Sequence, residues 1–261
     1  MCGLAGTIIP AKLSAGQLGK VRALFVENLL ANEKRGPKAT GVVVSQADGS
    51  VFSLKKPVRA ATFVETAAFR DFMESHVTKE TRILLGHTRD PTKGTITNNV
   101  NNHPIIVGDT IGVHNGVITN DDAIFLALAQ KNKLDGRIGS VDSEAIFALF
   151  DEVDGDGSLS EYVAGITERV RRLCGSFTTL FFNKKKPTQL FCLRYDNPIS
   201  CHFDEAINCL FFSSRYIFLR KTFGRAVISE AMAGRTGFVF DALTVQETHK
   251  EPVCSFALDE G

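Results

Sequence analysis

The N-terminal segment constrains this chain most, because it places a cysteine, Cys2, directly after Met1. The methionine is usually removed when the next side chain is small, and its removal would leave Cys2 with both a thiol and a free α-amine. The thiol is a nucleophile with a reference pKa near 8.5, and an α-amine that titrates at about 7.7–8.0 can act as its general base. The apolar residues that follow indicate a buried strand, which would hold Cys2 rigidly. The alternative is a small apolar residue that only opens a core strand.

Composition excludes several classes of protein. The chain has 261 residues, of which 44% are apolar, and its 30 basic and 29 acidic side chains nearly cancel. The near-zero net charge argues against nucleic-acid binding. The length is sufficient for one large core. Since no linker or internal repeat is visible, we expect a single domain over residues 2–261.

The cysteines and the N-terminus indicate the compartment. The six cysteines form neither a CxxC pair nor a His/Cys cluster with zinc spacing, so we expect no metal and no cofactor. The N-terminus lacks the basic start and the long apolar stretch of a signal peptide. No segment approaches the roughly 20 apolar residues that span a bilayer. These features favour a reduced, cytoplasmic compartment without membrane association.

Local signals predict a layered fold. Capping-box spacing predicts helix starts at Ser14, Thr62 and Ser158. Turn signals predict hairpins at Asp48-Gly49 and Gly108-Asp109. The second helix should run to about His76, and strands should dominate from Gly175 onward. Helices that cluster between groups of strands, without strict βαβ alternation, indicate stacked layers of an α+β fold.

Polar residues gather at places where a core does not require them. Arg89 ends an apolar strand, where it can bind a carboxylate through two parallel hydrogen bonds or form a salt bridge at the rim. Asn115 and Gly116 combine a side-chain amide with a flexible backbone N–H, the donors of an oxyanion hole, although Asn-Gly also forms plain turns. Asp142 stands at a predicted helix N-terminus, where it can cap the helix or pair with a substrate ammonium.

A further pair of motifs, Arg35-Gly36 and Thr40-Gly41, brackets a tight turn whose glycines permit close backbone approach. Together with Cys2, these clusters provide a nucleophile with its own base, an anion-binding arginine, an oxyanion hole and a carboxylate for a cation. A ligand with an α-carboxylate, an α-ammonium and a distant carbonyl would use all of them. Glutamine is such a ligand, and its γ-amide would be the group that is cleaved.

The order of these motifs resembles the glutaminase domain of class II glutamine amidotransferases, the N-terminal-nucleophile family. The similarity is greatest to the glutaminase domains of amidophosphoribosyltransferase and glucosamine-phosphate synthase. The matching motifs are Cys2-Gly3-Leu4-Ala5-Gly6, Arg35-Gly36-x4-Gly41, Gly86-His87-Thr88-Arg89-x-x-Thr92-x-Gly94, Asn102-His103-Pro104, His114-Asn115-Gly116-x-Ile118-x-Asn120, Asp142-Ser143-Glu144 and Gly175-Ser176-Phe177. The resemblance implies a four-layer αββα sandwich of the N-terminal-nucleophile hydrolase type.

The resemblance also implies roles for individual residues. Those at catalytic positions are Cys2, the nucleophile with its α-amine as base, and the oxyanion-hole pair Asn115 and Gly116. Those at glutamine-binding positions are Arg89 for the carboxylate, Asp142 for the ammonium, and Thr92 and His103 for the pocket lining. The implied reaction converts glutamine to glutamate and ammonia through a γ-glutamyl thioester, without a cofactor.

The sequence departs from the family pattern at two positions and in length. Asp90 stands where relatives often have the Trp or Tyr that helps to cover bound glutamine, and Lys93 stands where glucosamine-phosphate synthases have His. The chain ends at Gly261, where amidotransferases of this class usually continue into a synthase domain. We therefore expect ammonia to pass to a separate synthase subunit, or the protein to act as a free-standing glutaminase.

Two other functions are compatible with the sequence. One is a non-catalytic glutamine-sensing subunit, against which the presence of both Cys2 and Asn115 argues, because a binder needs no nucleophile. The other is an N-terminal cysteine hydrolase that cleaves a different amide. The paired His-Thr-Arg and His-Asn-Gly motifs favour glutamine over such a substrate.

Overall fold

A computed structural model describes residues 2–130, 137–224, 227 and 230–259 of the chain. The predicted removal of Met1 lies outside these residues. The strands are β1 (Gly3–Ile8), β2 (Ala39–Gln46), β3 (Val51–Lys56), β4 (Thr81–Arg89), β5 (Ile105–Val107), β6 (Thr110–Ile118), β7 (Gly175–Asn183), β8 (Gln189–Arg194), β9 (Ser200–Asp204), β10 (Cys209–Ser213), β11 (Glu230–Ala231), β12 (Thr236–Asp241) and β13 (Cys254–Ala257). The helices are α1 (Ala15–Asn32), α2 (Ala60–Val64), α3 (Ala67–His76), α4 (Asp121–Gln130), α5 (Ser143–Asp151), α6 (Leu159–Val170), α7 (Tyr216–Thr222) and α8 (Val245–Thr248).

The strands form two antiparallel sheets. One sheet has the order β11-β9-β10-β1-β4-β2-β3, and the other has the order β13-β12-β8-β7-β6-β5. Helices α1, α2, α3 and α7 pack on the outer face of the first sheet, and α4, α5 and α6 pack on the outer face of the second. The predicted αββα sandwich is therefore confirmed.

The inner faces of the two sheets share a hydrophobic core. It includes Leu4, Ile8, Val43, Ile83 and Leu85 from the first sheet and Ile111, Val113, Leu180, Phe182 and Leu190 from the second. Side chains alternate between the faces of a strand, so Val43 contacts this core while Val42 and Val44 contact the helices. Because both faces are covered, the middle of a central strand is apolar on both sides, as at Leu84 and Leu85 of β4, which contact different cores.

Helix starts agree with two of the three predicted capping boxes. Ser14 and Ser158 cap α1 and α6, each with both reciprocal hydrogen bonds of the motif. The prediction for Thr62 is wrong, because this residue lies inside the short helix α2. The chain starts a new helix, α3, after Thr66, whose hydroxyl accepts a hydrogen bond from the Phe69 N–H at 3.2 Å. Thr66, which directly precedes α3, thus supplies the cap that the spacing assigned to Thr62.

The predicted close backbone approach at the Arg35–Gly41 turn is present. A Cβ atom at Gly36 would lie 2.3 Å from the carbonyl oxygen of Thr88, and one at Gly41 would lie 2.0 Å from that of His103. This packing brings the end of α1 against β4, beside the start of β1. Within the described part of the chain, no helix has both the length and the apolar character needed to cross a membrane.

Candidate active site

Cys2 is held by contacts from three directions. Its backbone nitrogen donates to Asn115 Oδ1 at 3.1 Å, and its carbonyl accepts a hydrogen bond from Arg35 Nε at 2.7 Å. Its Sγ lies 3.6 Å from the carbonyl oxygen of Asp90. Strand β1, which follows, is enclosed between β10 and β4. The thiol therefore projects from a fixed backbone.

The protonation of this thiol depends on its burial. Burial raises the pKa of Cys2 above its ordinary value, and the positive charge of Arg89 acts in the opposite direction. A thiol with a raised pKa is protonated at neutral pH, whereas the thiolate is the nucleophilic form. Reaction at Cys2 thus needs a base, and an α-amine on the same residue would provide one.

Asn115 presents an unused donor next to Cys2. Its Oδ1 accepts the hydrogen bond from the Cys2 nitrogen, which orients the amide group. Its Nδ2 is buried and has no hydrogen-bond partner among the described residues. Leaving a buried donor unsatisfied costs about 1–3 kcal/mol. A ligand oxygen beside Cys2 Sγ would remove that cost, which is the arrangement that an oxyanion hole requires.

The Gly116 N–H points away from β7, as the ladder register shows. Across this ladder the Thr119 N–H donates to the Cys174 carbonyl. Hydrogen-bonded and non-bonded pairs alternate along an antiparallel ladder, so Gly116 faces Phe177 in a non-bonded pair. Strand β5 covers the other edge of β6 only as far as Gly112. The Gly116 N–H is therefore directed to an edge that none of the described strands covers.

Position 116 accepts only glycine. Its φ of +155° belongs to a region that residues with a side chain rarely adopt. A Cβ atom here would also lie 2.0 Å from the Ser176 carbonyl oxygen. The plain-turn alternative for Asn115 and Gly116 does not hold, because both residues lie within β6.

A cavity of about 160 Å³ adjoins these donors. Its lining residues are Cys2, Asp90, Thr92, Asn115, Gly116, Val117, Ser176 and Asn197. Four of the residues predicted for the site therefore meet at one cavity, namely Cys2, Thr92, Asn115 and Gly116. A larger hollow of about 480 Å³ between α1 and α7 contains none of them.

Arg89 is buried at the end of β4 and supports the segment that follows it. Its Nη1 donates to Asn102 Oδ1 at 2.8 Å, and its Nη2 donates to the carbonyls of Lys93 and Gly94 at 2.7 and 3.0 Å. Both forms of bidentate carboxylate contact use an Nη2–H. Carboxylate binding would therefore require Arg89 to exchange one of these backbone contacts, and this role stays a prediction.

Asp142 occupies the N-cap position of α5 but makes no capping hydrogen bond with its side chain. Its Oδ2 instead accepts from the Ile118 N–H at 2.7 Å, on the same edge of β6 as the Gly116 N–H. Its charge and that of Arg89 interact. The carboxylate thus lies near the cavity, and its binding of an ammonium stays a prediction.

His103 is not among the residues that line the cavity. Its ring stacks on that of His87 with centroids 4.0 Å apart, and His87 Nε2 donates to the His114 carbonyl at 3.0 Å. Burial lowers the pKa of His87 to about 3 and that of His114 to about 4, and it places the pKa of His103 well below the usual range. All three imidazoles are therefore neutral at pH 7, and the pocket role of His103 stays a prediction.

Asp90 and Lys93, the two positions that depart from the family pattern, both form ion pairs. Lys93 Nζ contacts the carboxylates of Asp121 and Asp122, which also pair with Arg137. Asp90, which lines the cavity, pairs with Lys38 at 3.1 Å. Charged contacts thus fix the segment where an aromatic side chain and a histidine are usual.

Two residues near the cavity had no signal in the sequence. Lys55 donates to the carbonyls of Asn102 and Pro104 at 2.7 and 3.0 Å, and burial lowers its pKa to about 8. Asn197 donates to the Asn115 carbonyl at 3.1 Å. Both act on backbone atoms of distant segments, which no local motif reveals. Among the residues that the structure describes, no three His, Cys, Asp or Glu side chains are grouped so that they could hold a metal ion.

Comparison with known proteins yields relatives in sequence and in fold. No protein-family model matches the chain. A 7-cyano-7-deazaguanine synthase from Saccharolobus solfataricus is 29% identical over 217 residues, which are 82% of this chain and 43% of that protein. A glutamine–fructose-6-phosphate aminotransferase (isomerizing) from Aliivibrio fischeri is 30% identical over 203 residues, which are 76% of this chain and 29% of that protein.

Among solved structures, the glutamine phosphoribosylpyrophosphate amidotransferase of B. subtilis matches with a TM-score of 0.70 at 14% identity. The match covers 100% of this chain and 50% of that one, and at this identity it shows the fold alone. The chain spans less than half the length of the two curated relatives described above.

Proposed function

We propose that this chain, a class II glutamine amidotransferase domain, uses Cys2 to hydrolyse the side-chain amide of glutamine to glutamate and ammonia. The observation that carries the proposal is the Asn115 side chain. Its Oδ1 contacts the Cys2 nitrogen while its Nδ2 is buried without a partner at the cavity. A binding protein gains nothing from an unsatisfied donor beside a thiol, whereas acyl transfer does.

The proposed reaction has two steps at one sulfur. The Cys2 α-amine takes the thiol proton, and Sγ adds to the γ-carbonyl carbon of glutamine. The carbonyl electron pair moves to oxygen, where Asn115 Nδ2–H and Gly116 N–H bind the negative charge. The C–N bond then breaks, and the nitrogen leaves as ammonia with the proton from the amine. A γ-glutamyl thioester remains on Cys2.

The second step restores the enzyme. Water gives a proton to the α-amine and attacks the thioester, and the same two donors bind the second oxyanion. The C–S bond breaks to release glutamate, and the thiolate regains its proton. In this scheme Arg89 binds the substrate carboxylate, Asp142 binds the ammonium, and Thr92 and His103 shape the pocket. Residues 2–261 would act as one glutaminase unit.

The ammonia has a proposed destination. Since the named relatives include a synthase and an aminotransferase, we propose that it passes to a synthase partner. A free-standing glutaminase would release it to solvent instead. These cases differ in whether hydrolysis depends on a partner, which co-purification of the native protein followed by activity measurement would determine.

The primary test is ammonia release from glutamine, asparagine and simple N-acyl amides. The proposal requires release from glutamine alone, and its loss in Cys2→Ala with an unchanged melting temperature. Release from another amide only would favour a different N-terminal cysteine hydrolase. Saturable glutamine binding by a wild-type protein that releases no ammonia would favour the sensing subunit.

A further inference from the structure

Asn197 lies in the loop between β8 and β9 and lines the same cavity as Cys2. Its Nδ2 donates to the Asn115 carbonyl at 3.1 Å and to Ser176 Oγ at 3.2 Å. The first contact crosses from this loop to the strand that carries the proposed oxyanion hole. The Asn115 carbonyl also faces the Thr178 N–H in a hydrogen-bonded pair of the β6–β7 ladder. Asn197 therefore adds a second hydrogen bond to the peptide group that joins Asn115 to Gly116.

The loop that carries Asn197 is itself fixed on β7. The Thr178 hydroxyl donates to the Asn197 carbonyl. The backbone N–H groups of Tyr195 and Asp196 donate to the Phe177 carbonyl at 3.0 and 3.3 Å. The rings of Tyr195 and Phe177 also stack, with centroids 5.1 Å apart. These contacts hold Asn197 in place relative to β7.

Because the peptide group is planar, the contact of Asn197 with the Asn115 carbonyl also affects the direction of the Gly116 N–H. In a trans peptide the C=O and the next N–H point in opposite directions within one plane. Holding the Asn115 oxygen toward Asn197 therefore keeps the Gly116 N–H pointing away from it, toward the uncovered edge of β6. Rotation of this group is easier before a glycine, because no Cβ restricts it. A rotated peptide would present an oxygen where the oxyanion forms.

We propose that Asn197 is a positioning residue of the oxyanion hole: together with the ladder contact to Thr178, its amide fixes the Asn115 carbonyl and thereby the Gly116 N–H. The inference rests on the proposed glutaminase function and adds a residue from the part of the chain after β8. Asn197 acts through the peptide and need not touch the substrate.

The test compares two variants of Asn197 with a matched control. Asn197→Asp keeps the size of the side chain but replaces the donor with an oxygen that repels a carbonyl, and Asn197→Ala removes the contact. For both we expect kcat to fall by about ten- to hundredfold, below the loss for a deleted oxyanion-hole donor. The KM for glutamine should stay within about twofold, because a transition-state contact is affected.

The control is Asn120→Asp. Asn120 Nδ2 also donates to a backbone carbonyl, that of Arg172 at 2.8 Å, but Asn120 does not line the cavity. This variant should lose thermal stability at most, with kcat unchanged. A second readout is alkylation of Cys2 by iodoacetamide, which forms no oxyanion and should proceed at the wild-type rate in both Asn197 variants.

Three results would overturn the inference. The first is a kcat within about twofold of wild type in both Asn197 variants, which would leave the glutaminase function itself intact. The second is a rise in KM at constant kcat, or slow alkylation, which would make Asn197 a substrate contact or a support for Cys2. The third is failure of both variants to fold, which would make it a stability residue. A wild-type protein without glutaminase activity would instead refute the proposed function.

Discussion

The two walls of the cavity are held in different ways. On one wall, Asn115 and Gly116 lie within β6, whose backbone is paired with β7 along its length. On the other wall, residues 90–104 have little regular structure. Charged and amide side chains hold this segment, chiefly Arg89, Lys93 and Lys55.

The wall on β6 carries the groups proposed for catalysis, and the irregular wall of residues 90–104 carries groups proposed for glutamine binding. Groups that bind a developing oxyanion gain most when they need not move during the reaction, and a paired strand provides such rigidity. The opposite wall can adjust, because Arg89 uses its Nη2 on the Lys93 and Gly94 carbonyls and would have to exchange a contact to bind a carboxylate. Glutamine binding would thus rearrange the irregular wall while β6 stays fixed.

The largest effect on catalysis is expected on the rigid wall, which is the wall formed by Asn115 and Gly116 of β6. Asn115→Ala should lower kcat by about 10²–10³, as the loss of one oxyanion-hole donor typically does. Asn115→Asp should be at least as harmful, since it places a negative charge beside the oxyanion. The KM for glutamine should change little, and thermal melting should show a folded protein. Near wild-type kcat in the Asp variant would contradict the assignment, because an ionised carboxylate has no N–H to donate to the oxyanion.

A smaller effect, in binding rather than turnover, is expected for Arg89→Lys. An ammonium cannot contact Asn102, the loop carbonyls and a carboxylate from one atom. The loss of a charged hydrogen bond worth about 1.5–3 kcal/mol should raise the KM for glutamine by about ten- to hundredfold. Steady-state kinetics with glutamine measures this. An unchanged KM would mean that the carboxylate is bound elsewhere.

The ion pair between Lys93 and Asp121, which holds the irregular wall, should affect the KM for glutamine less than Arg89 does. Lys93→Met breaks a partly exposed ion pair, while Asp121 keeps its contact with Arg137. Such pairs contribute about 0.2–1 kcal/mol, so we expect a rise of up to about fivefold in the KM for glutamine at constant kcat. The matched control is Lys185→Met, which breaks an exposed pair with Asp156 away from the cavity. Equal KM values in the two variants would show that Lys93 does not support glutamine binding.

The smallest effect on catalysis, and a clear one on stability, concerns the buried histidines. Their pKa values are about 3 for His87 and about 4 for His114, whereas an unfolded histidine titrates near 6.5. The unfolded chain therefore binds more protons below pH 6.5, and the free energy of unfolding should fall as the pH decreases toward 4 and 3. For His114 alone the loss is about 3 kcal/mol.

His87→Gln should reduce this acid sensitivity. The amide can still donate to the His114 carbonyl but cannot take up a proton, so unfolding should begin at lower pH than in wild type. The control is His76→Gln, outside the cluster, which should keep the wild-type acid profile. Denaturant melts between pH 7 and pH 4 measure both. Equal profiles for His87→Gln and wild type would show that His87 does not control acid unfolding.

The sequence predicted the rigid wall better than the irregular one. Cys2, Asn115 and Gly116 belong to strand-borne motifs, and strands keep neighbouring motif residues in fixed relative positions. The contacts of Lys93, Lys55 and Asn197 join segments far apart in the chain, and no local pattern encodes such pairing. Strand β9 has no distinct signal of its own, because its five residues lack clear alternation of polar and apolar side chains.

The proposed mechanism cleaves glutamine through a thioester on an N-terminal Cys2. The most direct test is to mix the protein with glutamine, quench with acid within the first turnovers, and map peptides by mass. We expect an N-terminal peptide that begins at Cys2 and carries a γ-glutamyl group on its sulfur, and no such group in Cys2→Ala. An active protein that retains Met1, or an adduct on another cysteine such as Cys174, would contradict it.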